Sequence, residues 1–134
     1  YMFPHVRKAI TDAWRRAGID SVERLDGIET HDCFTSTEYM AIDHFGLTPP
    51  GQSWQAIDSG LVELDGRCPV NASGGLIGVG HPVGATGARL LLDAGRQVTG
   101  TAGDYQVKGA RTYGTLNIGG SLGTVVSFVV GLRD

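Results

Sequence analysis

Three places in the chain carry residues able to do chemistry: His31-Asp32-Cys33, the lone His81 of a glycine-rich stretch, and Asn117-Ile118-Gly119. A cysteine and a histidine within hydrogen-bond reach act as nucleophile and base, or as an acid/base pair that moves a proton. An unperturbed imidazole titrates near pH ~6.5, so modest surroundings make it a base or an acid at neutral pH. A glycine at a strand end can offer its backbone N–H to a developing oxyanion, a contribution of typically ~2.7–4 kcal/mol to a barrier. Other candidates read as structural. Cys68, beside Pro69, is expected to be a small buried hydrophobe, and His5 and His44 to lie on helix surfaces. A zinc site from His31, Cys33, Cys68 and His81 finds no C-x-x-C or H-x-x-x-H spacing to support it, so no metal is expected.

The stretch Asn71 to Arg89, NASGGLIGVGHPVGATGAR, sets six glycines around one His-Pro pair. Glycine loses more backbone freedom on ordering than any other residue, so this density predicts tight turns or close approach of a ligand to the backbone. Gly75, Gly80 and Pro82 are therefore expected to shape a substrate loop, with Pro82 fixing the exit of the chain after His81. Two alternatives fail. Gly78 and Gly80 are followed by Val83 where a dinucleotide fingerprint needs its third glycine, and no lysine between Asn71 and Arg96 can complete a phosphate loop.

The elements that must position these groups follow from periodicity. Val6, Ile10, Ala13, Trp14 and Ala17 recur at helical spacing from Pro4 to a stop at Gly18, with Arg7, Lys8, Arg15 and Arg16 on the solvated side. A chain opening directly on this helix suggests a strand upstream to cover it. Leu25 to Thr30 predicts a strand, and Thr35 with Glu38 has capping-box spacing for a helix ending at Gly46. His31-Asp32-Cys33-Phe34 thus sits at a strand-to-helix junction, the carboxyl edge where α/β sheets bind ligands. A short helix is expected over Trp54 to Ser59, and a longer one with Ala88, Leu91, Leu92, Ala94 and Val98 as its buried face. Arg111 to Ile118 and Thr124 to Leu132 predict a hairpin, the second strand apolar enough on both faces to be central and doubly covered. The pattern predicts one α/β domain over residues 1–134, a mixed β-sheet with helices on both faces.

Composition narrows the function. With 134 residues and 41% hydrophobic content the chain suits one modest core. A net charge of −3 gives no basic footprint for nucleic acid, and no apolar run approaches the ~20 residues of a membrane span. Two cysteines and no visible signal peptide make a reducing, cytoplasmic interior the expectation.

GGLIGVGHPVGATGAR, with Gly80-His81-Pro82 at its centre, resembles the Gly-His-Pro motif of the thiolase family. His31-Asp32-Cys33-Phe34 resembles the HDCF motif of the sterol-carrier-protein type of thiolase, which stands where other thiolases have Asn-Glu-Ala-Phe, so the chain resembles a thiolase of this type or an acetyl-CoA acetyltransferase. Asn117-Ile118-Gly119 occupies the family's Cys-x-Gly position, and the lost cysteine agrees with the same subgroup. The resemblance covers about Val6 to Val130 and implies a thiolase-like C-terminal domain. It implies that His81 helps generate the thiolate of a nucleophilic cysteine and points at a thioester oxygen, that Cys33 moves the proton on the α-carbon of an acyl-CoA, and that Gly119 and Asn117 border the oxyanion. His31 stands at the oxyanion-water position. Coenzyme A thioesters are then substrates, with no further cofactor. Implied partners are a second copy of the subunit and an OB-fold acyl-CoA-binding protein. The nucleophilic cysteine belongs to an N-terminal half absent from this sequence, so the chain alone is expected to be inactive. A thiolase-like retro-aldolase acting on acyl-CoA side chains and a non-catalytic acyl-CoA or lipid-binding module are the alternatives.

Overall fold

A computed structural model describes residues 1–132. Helix α1 (Pro4–Ala17) starts with Pro4 in its first turn and ends where Gly18, at φ 72°, donates its N–H to the last carbonyls. Strand β1 (Gly27–Thr30) leads into α2 (Thr35–Phe45), which closes on Gly46 at φ 80°. Two short helices follow, α3 (Trp54–Asp58) and α4 (Gly75–Val79), then the long α5 (Thr86–Thr99) and the hairpin strands β2 (Thr112–Gly119) and β3 (Thr124–Gly131).

The sheet runs β1-β2-β3, with β1 parallel to β2 and β3 antiparallel to it. The segment through Val70 lies along the other side of β1: Ile28 donates its N–H to Pro69 and its carbonyl accepts from Asn71. The glycine-rich stretch therefore leaves the sheet at the carboxyl end of β1, beside His31.

Successive residues of a strand face opposite sides, and β2 builds two cores that way. Leu116 joins Val6, Ile10, Trp14, Ile42 and Phe45 of α1 and α2, while Tyr113 joins Ala94 and Val98 of α5. The sheet is mixed and carries helices on both faces, as expected. Close approach is needed at Gly114, where a Cβ would stand 2.9 Å from Leu25 and 3.2 Å from Phe45.

Four details differ from the sequence reading. Arg7 is not a solvated charge: its guanidinium lies over the Trp14 and Tyr1 rings and donates to the His44 and Phe45 carbonyls, docking α1 on the end of α2. Helix α2 does start at Thr35, but the hydroxyl at its entry is that of Thr37, bonded to the Phe34 backbone. The inward face of α5 is rotated. Leu90, Asp93, Ala94, Gln97 and Val98 are buried, whereas Ala88 and Leu92 are exposed. The polar pair turns inward because it is used there: Asp93 accepts from Arg89 and Tyr105, and Gln97 bonds the Tyr105 carbonyl and the Val107 N–H. Strand β3 is the edge of the sheet among the described residues, with Val126 and Phe128 exposed, rather than a covered central strand. Its run of β-branched residues suits a covered strand, but periodicity carries no information on which neighbour is present.

Candidate active site

The junction after β1 divides its residues between two tasks. His31 and Cys33 turn to an open cleft, while Asp32, 3% exposed, turns inward. Its Oδ1 accepts the Leu76 N–H at 2.6 Å, giving α4 the acceptor that an unpaired helix-start donor needs. Gly75 takes φ 59°, and a Cβ there would overlap the Asp32 carboxylate. Gly75 thus seats an anchor at the base of the glycine-rich loop.

Three further bonds tie the same loop to β1. Thr30 donates its N–H to Asn71 Oδ1 at 2.7 Å, and the Glu29 carboxyl accepts the Ser73 N–H at 3.1 Å and its hydroxyl at 2.6 Å. Glu29 is fully buried, and desolvation raises its pKa to about 7 against the pull of those donors. The glycine-rich stretch is therefore clamped up to Leu76. It makes one helical turn, α4, from which Gly80, at φ 92°, turns the chain outward into His81.

His81 is exposed, with Nδ1 2.7 Å from the Thr86 hydroxyl. That hydroxyl donates its one hydrogen to the Pro82 carbonyl at 3.1 Å, so it accepts from His81 Nδ1–H, which leaves the Nε2 lone pair free. Pro82 also accepts the Ala85 and Thr86 N–H groups at the entry to α5. Gly80 and Pro82 aim the histidine without lining the cleft themselves.

The cleft, about 640 Å³, is lined by His31, Cys33, His81, Asn117 and Gly119, so the three stretches converge. The His31 and His81 rings meet edge to face with centroids 4.8 Å apart. Burial, reinforced by the nearby His81, lowers the His31 pKa and favours its neutral form. Asn117 Oδ1 is buried without a hydrogen-bond partner, an acceptor left open at the end of β2. A Cβ on Gly87 would stand 3.3 Å from it, so the glycine leaves that oxygen room.

The remaining thiol and one of the two remaining imidazoles are buried elsewhere, while His5 is exposed. Cys68 is fully buried and its thiol is pushed up to about 12 by desolvation. His44 is not on a helix surface: it is 1% exposed, with Nδ1 2.7 Å from the Met40 carbonyl and Nε2 accepting the Phe3 N–H at 3.1 Å. Sequence reading gives no part to the supporting residues Glu29, Ser73 and Thr86, and it marks Asp32 only as a member of the His31-Asp32-Cys33 stretch. Only Thr86 left a local trace, a hydroxyl five residues after the histidine.

Comparison with known proteins gives the family. Residues 1–132 match the family described as thiolase C-terminal domain-like. An acetyl-CoA acetyltransferase of Methanothermobacter thermautotrophicus is 42% identical over 100 residues, 75% of this chain and 26% of that protein. Sterol carrier protein 2 of Gallus gallus is 38% identical over 113 residues, 84% of this chain and 20% of that protein. Among solved structures, the Ltp2-ChsH2(DUF35) aldolase superposes with a TM-score of 0.84 at 21% identity, over 96% of this chain and 32% of that one, a likeness of fold. The chain thus spans about a quarter of the length of these curated relatives or less. With a matching family model over nearly its whole length, the chain belongs to the thiolase C-terminal domain-like family.

Proposed function

We propose that this chain is the C-terminal domain of a longer thiolase-type acyl-CoA acyltransferase and supplies its acid/base and oxyanion groups. The observation that carries the proposal is the lining of one cleft by Cys33, His81, His31, Asn117 and Gly119. In the cleavage direction, a nucleophilic cysteine outside residues 1–134 attacks the C3 carbonyl of a 3-ketoacyl-CoA. The C2–C3 bond breaks, and the carbanion at C2 takes the Cys33 proton and leaves as acetyl-CoA. The CoA thiol gives its proton to the Cys33 thiolate and attacks the acyl-enzyme thioester, releasing the shortened acyl-CoA, and the departing nucleophilic cysteine takes back the proton held by His81. Condensation is the same path reversed.

His81, with Nε2 free, takes the proton of the nucleophilic thiol and then bonds the thioester oxygen. A neutral His31 beside it adds no competing positive charge. Asn117 and the Gly119 N–H border the oxyanion. Coenzyme A thioesters are the substrates and no other cofactor is required. The working form pairs two copies of the subunit in the cytoplasm, with an OB-fold acyl-CoA-binding protein as a further partner. Retro-aldol cleavage uses no nucleophile and leaves free CoA unused, and retention of both Cys33 and His81 favours thiolysis.

The test is cleavage of acetoacetyl-CoA by the complete subunit with and without free CoA. Cleavage that requires CoA and is lost in Cys33→Ala supports the proposal. Cleavage of a 3-hydroxyacyl-CoA without CoA would point to the aldolase, and binding without cleavage to a carrier.

A further inference from the structure

The turn that follows Gly119 runs against its own sequence. Gly123 donates its N–H to the Gly120 carbonyl at 2.9 Å, and the two residues between them, Ser121 and Leu122, take φ 51° and 73°. Positive φ at both central positions is the pattern of a type I′ turn, which asparagine and glycine fill with ease and a bulky residue such as leucine does not. A leucine kept in that conformation has to be held from outside the turn.

Two holds are present. The Leu122 side chain packs against the core of α1 and α2, and its carbonyl lies 3.1 Å from Nε2 of His5, 117 residues away in the chain. A carbonyl only accepts, so Nε2 carries the hydrogen. His5 stands in the first turn of α1, beside a ring that aims its own. Phe3 meets the imidazole edge to face with centroids 6.1 Å apart. Phe3 is fixed in turn by stacking on His44 and by donating its N–H to His44 Nε2. The buried imidazole is thus the footing of the exposed one.

The turn carries one wall of the cleft. Gly119, Gly120, Ser121 and Leu122 line it together with Cys33 and His81. Gly119 ends β2 and Gly120 begins the turn, so the set of the turn fixes the direction of the Gly119 peptide.

We propose that His5 is a positioning residue, which holds the Gly120–Gly123 turn through the Leu122 carbonyl and so keeps the Gly119 peptide in place beside the oxyanion. It reaches the reaction through the backbone and touches no substrate. The proposal rests on the oxyanion reading of Gly119, and the test separates the two.

In the complete subunit, amide hydrogen–deuterium exchange over residues 119–124 is measured beside kcat and KM for CoA-dependent cleavage of acetoacetyl-CoA. In His5→Ala, exchange over that segment is expected to rise at least ~10-fold. The same variant should lose about 10–100-fold in kcat, with KM within ~3-fold of wild type and the urea midpoint little changed. His5→Gln, whose amide can donate to the same carbonyl, should recover most of both losses. Faster exchange in His5→Ala, reversed by His5→Gln, in a subunit without CoA-dependent cleavage keeps the hold on the turn and removes the acyl-transfer reading. In an active subunit, wild-type kcat in His5→Ala overturns the proposal, and so does a fall in kcat with exchange unchanged. A joint fall of kcat and urea midpoint that His5→Gln does not recover overturns it as well, and leaves His5 a merely structural residue.

Discussion

The chain contains two cysteines in opposite circumstances, each on the same side of the comparison as a histidine. Cys33 and His81 line one open cleft, with a His81 nitrogen free. Cys68 and His44 are buried in the α1/α2 side of the molecule, the thiol far above its ordinary pKa and the imidazole bonded at both nitrogens. The side chains are the same and their availability is not. A buried, fully partnered group contributes to stability, whereas a group with an unused lone pair in a cleft is available to a substrate.

The sharpest way to break this contrast is to remove both pairs. In the complete subunit, Cys33→Ala or His81→Ala is expected to lower turnover by about 10²–10⁴-fold with little change in urea midpoint. Cys68→Ala and His44→Ala should do the reverse, lowering stability by roughly 1–3 kcal/mol, read as a lower urea midpoint, and leaving kcat near wild type. Equal kinetic losses from both pairs would dissolve the distinction.

The anchor beneath the cleft predicts the next effects. Gly75→Ala puts a Cβ into the Asp32 carboxylate at a positive φ and should cost roughly 3 kcal/mol, while Gly78→Ala, with open space around it, should cost little. Chemical denaturation of both variants compares them directly. Glu29 predicts a pH signature. Its carboxyl titrates at about 7 in the fold against an ordinary 4.5, so the folded chain holds a proton that the unfolded chain has released. Its contribution to stability is therefore lost as pH rises from about 4.5 to 7, by roughly 3 kcal/mol, and Glu29→Gln should flatten that slope in denaturation curves. The smallest effect belongs to Thr86→Val, which frees His81 Nδ1. Loss of that orientation is expected to reduce kcat about tenfold with KM less affected.

The contrast also marks what could be read from the amino-acid sequence. Alternating strand and helix patterns around His31-Asp32-Cys33 fix a junction at a carboxyl sheet edge, and local periodicity is enough for that. The inward turn of Asp32 is not local: its partner, the Leu76 N–H, lies 44 residues away. Helix α4 was hidden because glycine argues against a helix, and it forms where a buried carboxylate meets its first turn. His44 shows helical spacing like a surface residue, and only the chain entering α1 covers it. Leu92 was assigned inward for its apolarity, but the hydrogen-bonding demands of Asp93 and Gln97 rotate α5. Motif residues were legible; the groups that hold them were not.

The most direct measurement is exchange of the acetyl-CoA methyl protons with D₂O, catalysed by the complete subunit and followed by NMR. It reports removal of the α-proton without requiring condensation. If Cys33 moves that proton, exchange is abolished in Cys33→Ala and retained in Cys68→Ala. Undiminished exchange in Cys33→Ala would contradict the assignment of this cleft as the acid/base half of an acyl-CoA active site.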